Sequence, residues 1–173
     1  MSCDLSIGRK LECKDNVGGI KSIIFLNYSS DFYRLLSFDA NGVVVAINLG
    51  ENSYRYELKG ANSYEEENVK SQSTSSYIQT ANIYLKKQNA TTLKELKVMS
   101  YGRPHVIIED KNGRYRIAGA ERGCDVQVNN STGASLEEDN GYTLTITGQE
   151  RYPAPFMNAS VIGDSLFVQE GTN

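Results

Sequence analysis

Apolar and polar residues alternate with a period of two along most of the chain, which is the spacing of β-strands. The clearest case is GYTLTITGQE at 141–150, where Tyr142, Leu144 and Ile146 alternate with three threonines. Successive side chains of a strand point to opposite faces, so this pattern predicts one buried and one solvated face. The segment KSIIFLN at 21–27 has a short apolar run rich in β-formers, which predicts a buried strand.

Two turns ending in Asn-Gly predict β-hairpins. They are Asp39–Gly42 and Asp110–Gly113. Asparagine and glycine accept positive φ, which tight hairpin turns require. The predicted strands that flank these turns are 33–38, 43–49, 106–109 and 114–120.

Further strands are predicted at 53–59, 77–87, 124–129 and, as an edge strand, 161–168. In the first of these, Tyr54, Tyr56 and Leu58 alternate with charged residues and are expected on its buried face. In the second, one face carries Tyr77, Ala81, Ile83 and Leu85.

One helix is predicted near residues 93–100. Thr92 and Glu95 have the spacing of a capping box, in which both side chains satisfy free amides at the helix start. Leu93, Leu96 and Met99 then recur at helical spacing, and Gly102 followed by a proline ends the pattern.

Between residues 60 and 76 the alternation stops, and the sequence GANSYEEENVKSQSTSS is polar throughout. We predict a long loop here, of the kind that is usually functional or disordered, and expect it to act as an arm. The whole pattern predicts a mainly β fold, a sandwich or barrel of roughly nine strands with one short flanking helix. We divide the chain into an N-terminal arm (1–18), a β domain (19–156) and a C-terminal strand or extension (157–173).

Composition narrows the function classes. The 173 residues carry a net charge of −3 and a pI of about 5.3, so strong attraction to nucleic-acid phosphates is not expected. No apolar run suits a signal peptide or a membrane span, so folding in the cytosol is expected. The odd number of cysteines (Cys3, Cys13 and Cys124) predicts free, partly buried thiols.

Few residues are candidates for catalysis. His105 is the only histidine, no nucleophile motif surrounds any serine or cysteine, and no glycine-rich phosphate loop occurs. We expect His105 to face solvent or to be hydrogen-bonded. A zinc site formed by His105 and the three cysteines lacks the usual CxxC spacing, so no metal or other cofactor is expected.

Charged residues supply the candidate contact sites. Arg114 and Arg116 alternate with Tyr115, which suits a solvated strand or an interface, and we favour pairing with an acidic loop of a neighbouring subunit over nucleic-acid binding. Runs of acidic residues such as Glu65–Glu67 and Glu137–Asp139 usually form solvated loops, but in an assembly they could present a repelling surface. The candidates for subunit contact or for lining a lumen are Tyr64, Glu65, Glu66, Glu67, Lys70, Arg114, Arg116, Glu137, Glu138 and Asp139.

Two segments of the C-terminal half, YGRPHVIIEDKNGRYRIAGAERGCDVQ at 101–127 and STGASLEEDNGYTLTITGQERYPAPF at 131–156, carry a family resemblance. They resemble the tail tube (major tail) proteins of long-tailed bacteriophages, whose fold is shared with the type VI secretion tube protein. The shared pattern is a short helix, a hairpin, the Gly119–Gly123 turn, the Thr132–Asp139 loop and the strand beginning GYTLT. The Cys3–Gly19 segment is similar to phage virion proteins of this group.

The resemblance implies a β-sandwich or barrel with a flanking helix, assembled as stacked hexameric rings around a lumen. The expected partners are copies of this chain, other tail proteins, and DNA that passes through without specific binding; no membrane is involved. The expected location is the virion tail, with assembly in the host cytoplasm.

Three function hypotheses therefore stand. The first is a self-assembling tube subunit. The second is a monomeric β-sandwich that binds or decorates a virion or cell surface, and the third is a hydrolase.

Overall fold

The computed structural model describes residues 7–164 and 166–170, and in this part of the chain twelve strands form two sheets. This confirms the mainly β class with one short flanking helix, although the strands outnumber the expected nine. The strands are β1 (Ile20–Leu26), β2 (Leu36–Phe38), β3 (Val44–Ile47), β4 (Asn52–Glu57), β5 (Ser63–Lys70), β6 (Ser75–Lys86), β7 (His105–Asp110), β8 (Tyr115–Ala118), β9 (Asp125–Ser131), β10 (Gly141–Glu150), β11 (Phe156–Met157) and β12 (Phe167–Glu170). The helical segments are α1 (Ala90–Tyr101), the single turn α2 (Val161–Asp164) and a 3-10 turn at Phe32–Leu35.

The larger sheet has eight strands in the order β12-β4-β1-β7-β8-β11-β3-β2, and the smaller has four in the order β5-β6-β10-β9. The centre of the larger sheet is the antiparallel pair of β1 and β7, in which Ile23 lies opposite Ile108. Every residue of β1 except Lys21 is buried, and only Asp110 of β7 is less than fully buried. The buried strand predicted at 21–27 is thereby confirmed, with both of its faces covered.

The four-stranded sheet covers one face of this pair. Ile23 and Phe25 of β1 share a core cluster with inward-facing residues of the smaller sheet. Those residues include Ala81, Ile83 and Leu85 of β6 and Tyr142, Leu144 and Ile146 of β10. The alternation predicted for both strands is therefore confirmed on the face that packs.

The curled ends of the larger sheet and the short helical segments cover the opposite face. Ile24 and Leu26 of β1 pack there with Ile107 and Ile117. The rest of this second cluster includes Phe32, Leu36, Val44, Ile47, Met157, Val161 and Leu166.

Both predicted hairpin turns are confirmed. Asp39 Oδ1 accepts hydrogen bonds from the amides of Asn41 and Val43, and Asp110 Oδ1 accepts the equivalent pair from Asn112 and Arg114. The glycines of the two turns have φ of 76° and 75°, the left-handed region that glycine enters without strain. The strand predicted at 33–38, before the first turn, is shorter than expected, because residues 32–35 form the 3-10 turn and β2 begins at Leu36.

The loop predicted at 60–76 is wrong. Residues 63–70 form β5, residues 75 and 76 begin β6, and only a tight turn at 71–74 separates the two strands. The composition is polar because β5 is an edge strand with one face in solvent, so few of its residues need apolar side chains.

Two further predictions need correction. Tyr56 of β4 and Leu58 just after it pack against the core between the sheets, but Tyr54 is 43% exposed beside α1 and Ser53 is buried. The edge strand predicted at 161–168 is a helical turn followed by β12, which pairs in parallel with β4.

The start of α1 also differs from the prediction. Asn89 is the N-cap, and its side-chain oxygen accepts a hydrogen bond of 2.6 Å from the amide of Thr92. The helix therefore begins one turn before the predicted capping box, and Glu95 is exposed on its second turn. Leu96 is fully buried and joins the core between the sheets.

We predict that Asn89→Ala destabilises the protein by about 1 kcal/mol, because an amide at the helix start loses its acceptor. Urea unfolding followed by circular dichroism measures the change. Glu95→Ala is the matched control and should change the free energy of unfolding by less than about 0.5 kcal/mol. Equal losses in both variants would contradict the cap assignment and restore the capping box.

Candidate functional site

The hairpin of β5 and β6 carries half of the predicted contact residues. Its turn is closed by the Ser71 amide, which donates to the Thr74 carbonyl at 2.8 Å, and by the two hydroxyls 2.7 Å apart. From this turn the strands run back in register, with Glu67 opposite Ile78 and Glu65 opposite Thr80. The acidic run predicted to lie in a loop is therefore held on a strand.

Alternation along β5 divides that acidic run between two faces. Tyr64 pairs with buried Ala81, so Tyr64 and Glu66 face the larger sheet, whereas Glu65 and Glu67 face outward. Glu66 Oε2 accepts hydrogen bonds from the Tyr64 hydroxyl at 3.1 Å and from the Ala154 amide at 2.8 Å. Glu66 therefore holds β5 to the segment after β10, whereas Glu65 and Glu67 face solvent on the outward side.

Arg116 is also engaged inside the chain. Its guanidinium lies 5.1 Å from the ring centroid of Tyr64 and 4.7 Å from that of Phe156. Burial, followed by the charge and hydrogen bond of Glu66, raises the pKa of Tyr64. The alternating pair predicted at Arg114 and Arg116 is therefore corrected: Arg116 stacks on aromatic rings, and Arg114 alone is exposed, just before β8.

The outer edge of β5 is open. In the described part of the chain β5 pairs with β6 only and ends its sheet. Bonded and non-bonded pairs alternate in an antiparallel ladder, and Ser71 with Thr74 is a bonded pair. The backbone amides of Tyr64, Glu66, Asn68 and Lys70 therefore point to the open edge.

The outward face of the four-stranded sheet carries mostly polar side chains. Its central rows pair Thr143 with Tyr84, Thr145 with Asn82 and Thr147 with Thr80. The other outward residues of the four strands are Ser63, Glu65, Glu67, Val69, Ser76, Ile78, Lys86, Asp125, Gln127, Asn129, Ser131 and Gln149. Three carboxylates and one ammonium give this outer face a net negative charge.

The second acidic run, Glu137–Asp139, lies in the exposed loop between β9 and β10. Glu138 Oε2 accepts a hydrogen bond of 2.6 Å from the Ala134 amide, which closes the loop on itself. This loop meets the sheet beside Lys86, whereas the turn of the β5–β6 hairpin lies at the other end of β6. The two predicted acidic runs are therefore not brought together.

His105 is buried and hydrogen-bonded, one of the two expected outcomes. Its Nδ1 is 2.6 Å from the Gly119 carbonyl, and its Nε2 accepts from the Ser29 amide at 3.1 Å. The imidazole stacks at 4.0 Å on Phe32, and burial lowers its pKa. Both ring nitrogens thus serve the fold by joining the segments around residues 29 and 119.

Neither thiol in the described part of the chain belongs with His105 to a group that could hold a metal ion. Cys124 is buried and Cys13 is exposed, while Cys3 lies outside the described residues. Within residues 7–164 and 166–170, no three histidine, cysteine, aspartate or glutamate side chains lie together in a way that could hold a metal ion.

One buried carboxylate, Glu150 at the end of β10, is not among the predicted contact residues. Its Oε1 accepts hydrogen bonds from the amides of Arg122 at 2.8 Å and Glu121 at 3.3 Å. Burial raises its pKa, and the neighbouring Glu121 charge adds to the rise. A glutamate at an inward-facing strand position, Glu150 opposite Tyr77, was the available signal.

Comparisons with protein-family models, curated proteins and solved structures found no match to this chain. Among the described helices, none has the length and apolar character to cross a membrane.

We predict that Glu150→Gln stabilises the protein at neutral pH but not in acid. The raised pKa means that the folded state binds the Glu150 proton more tightly than the unfolded state does. Protonation of Glu150 therefore stabilises the fold, and this stabilisation is lost as pH rises through the folded pKa. The neutral amide keeps an oxygen for the two backbone donors and removes the buried charge.

The melting temperatures of the variant and the wild type should therefore agree near pH 4 and differ by about 2–4 °C near pH 7, in favour of the variant. Differential scanning calorimetry across this range measures the difference. Glu137→Gln, in an exposed loop, is the control and should not change the melting temperature. A difference that stayed constant with pH would show that the Glu150 charge costs the fold nothing.

Proposed function

We propose that this chain is a virion structural protein, a tail tube subunit that self-assembles into stacked hexameric rings around a conduit for DNA. The observation that carries the proposal is the open edge of β5 on a four-stranded sheet whose outer face is polar and acidic. The hexameric ring and the DNA conduit are what the family resemblance of residues 101–127 and 131–156 implies.

An open edge favours association with another strand. The outward amides of β5 form a row that only water or another strand can satisfy, and long open edges of this kind promote pairing between chains. The same sheet ends at β9 on its other side, where α1 packs nearby. Pairing β5 of one copy with β9 of the next would continue the sheet around a ring and remove both edges.

The outer face of that sheet suits a lining for DNA passage. Its threonine, asparagine and glutamine side chains are neutral, and the acidic Glu65, Glu67 and Asp125 outnumber its one cation, Lys86. Each cation on such a wall would release counterions from DNA and strengthen binding, whereas carboxylates repel the phosphates. A wall with this composition allows a polyanion to move without being held.

A monomeric β-sandwich binding module remains the alternative, and one groove favours it. A cavity of about 960 Å³ lies between α1 and the strands β1 and β4, and it is lined in part by Tyr28, Tyr54 and Arg103. That volume is sufficient for a small ligand or a peptide segment. A chain that stays monomeric at high concentration would favour this second function.

The first experiment tests the edge. We predict that Lys70→Pro leaves the monomer folded, because the amide of residue 70 points away from β6. The substitution should weaken self-association at least about tenfold, because one edge donor is lost and the pyrrolidine ring of the proline obstructs strand pairing. Sedimentation velocity measures the association, and negative-stain electron microscopy shows whether rings or tubes form.

Lys70→Ala is the matched control, since it removes the same charge and keeps the amide. It should assemble as the wild type does. Rings of unchanged stability in the proline variant would exclude the β5 edge as the contact, and a wild-type protein that never forms rings or tubes would overturn the proposed function.

The second experiment tests the lining. We predict that tubes of the double variant Glu65→Lys and Glu67→Lys retain DNA at about 50 mM salt and release it by about 200 mM, because the new cations contact phosphates. Co-sedimentation of tubes with DNA measures retention.

The control is the double variant Glu137→Lys and Glu138→Lys, which changes the charge equally in the exposed β9–β10 loop. DNA retention by the control alone would place that loop, instead of the outer face of the sheet, along the conduit.

A further inference from the structure

A cavity of about 310 Å³ lies at one end of the larger sheet, between the β2–β3 hairpin and the segments that follow β8 and β10. Three partly exposed aromatic rings line it, those of Tyr33, Phe38 and Tyr152. The ring centroid of Tyr33 lies 5.6 Å from that of Phe38 and 6.3 Å from that of Tyr152. We call this cavity the Glu121 pocket, after the carboxylate described next.

Two carboxylates, Glu121 and Glu150, line the same pocket. Glu150 is 4% exposed. Glu121 Oε1 pairs with the Arg151 guanidinium at 2.8 Å, while its Oε2 is buried and accepts no hydrogen bond in the described part of the chain. A buried carboxylate oxygen without a donor costs free energy, so Glu121, which lines the pocket, keeps one unsatisfied acceptor.

This combination of groups selects a cation with an apolar stem. The faces of aromatic rings attract ammonium and guanidinium groups, and the stems of lysine and arginine pack against apolar walls. One arginine, Arg151, pairs with a carboxylate of the pocket, so a second cation would balance the remaining negative charge. Guanidinium is the better fit, because its planar fork donates to a carboxylate and stacks on a ring at once.

We propose that the Glu121 pocket receives the guanidinium of Arg114 from a second copy of this chain. The inference rests on the proposed self-assembly and specifies that the subunits associate head to tail. Arg114 directly precedes β8, and Glu121 follows the other end of the same strand, so the two groups lie at opposite ends of β8. Head-to-tail association of identical subunits joins two different sites on the surface, and repetition of that contact builds an open stack.

Arg114 is the basic side chain best placed to act as the donor. Lys21, at the same end of the larger sheet, already pairs with Glu109 at 2.8 Å, and Arg116 is stacked between two rings. Arg114 is exposed, and its backbone is fixed by the hydrogen bond that its amide donates to Asp110 Oδ1 at 2.9 Å. A fixed backbone with a free side chain lowers the entropy cost of insertion.

The first test uses the monomer and a small probe, so it does not depend on assembly. N-acetyl-arginine methylamide should bind with a dissociation constant on the order of millimolar and shift the amide NMR signals of Glu121 and Arg122. N-acetyl-citrulline methylamide, its neutral counterpart, should cause no shift. Glu121→Gln should weaken binding of the arginine probe at least about tenfold, while the control Glu138→Gln leaves its affinity unchanged.

The second test exchanges the charges. Arg114→Glu and Glu121→Arg should each weaken head-to-tail association in sedimentation velocity, and the double variant should recover it, because the contact between subunits again joins unlike charges. Arg114→Gln and Glu121→Gln give milder losses and guard against misfolding of the reversed variants, which thermal unfolding monitors.

The outcomes separate the two proposals. Absence of probe binding overturns the pocket, whether or not tubes form. Probe binding without rescue by the double variant overturns Arg114 as the donor, and binding of the citrulline probe overturns recognition by charge. A wild-type chain that binds the arginine probe yet stays monomeric overturns both the second copy and the tube function, and leaves a pocket for the basic side chain of a different protein.

Discussion

The fold depends on one constraint, a central pair of strands that is apolar on both faces. β1 and β7 pair side by side, and their side chains enter two separate core clusters. Such a pair is stable in water only if each face is covered by a different layer. The four-stranded sheet supplies one cover, and the curled ends of the larger sheet with the helical segments supply the other. The rest of the fold thereby packs around the roughly dozen residues of β1 and β7.

The covering sheet needs only one buried face, and this leaves its other face and its edge for function. The inward residues of β6 and β10 are apolar, while the outward residues are hydroxyls, amides and a few carboxylates. A sheet that is buried on one side tolerates almost any polar side chain on the other. The outer face and the β5 edge are therefore the surfaces where composition can follow a partner instead of the core.

Two buried glutamates, Glu109 and Glu150, have pKa values that are shifted in opposite directions because their surroundings differ. Burial acts to raise the pKa of Glu109, but hydrogen bonds from Lys21 and Ser22 outweigh it and lower that pKa overall. Glu150 receives only backbone donors and lies near another carboxylate, so its pKa is raised. Two glutamates at strand positions of similar burial thus differ because one has a cationic partner and the other faces a pocket.

The sequence by itself determined the β class, the paired turns and the faces of the strongest strands. Asn41-Gly42 and Asn112-Gly113 encode hairpins locally, since positive φ is a property of the residues themselves, and the threonine alternation of 141–150 reports one buried face directly. Tertiary structure decided the rest. Residues 63–70 are too polar to signal a strand and become one because β6 offers them a ladder, and Asn89 is the cap because the end of β6 and the packing of Leu96 fix where α1 begins. The open edge, the outer face and the Glu121 pocket join residues that are distant in the sequence. Their positions depend on which strands become neighbours, a choice made by burying the core and not by any local pattern.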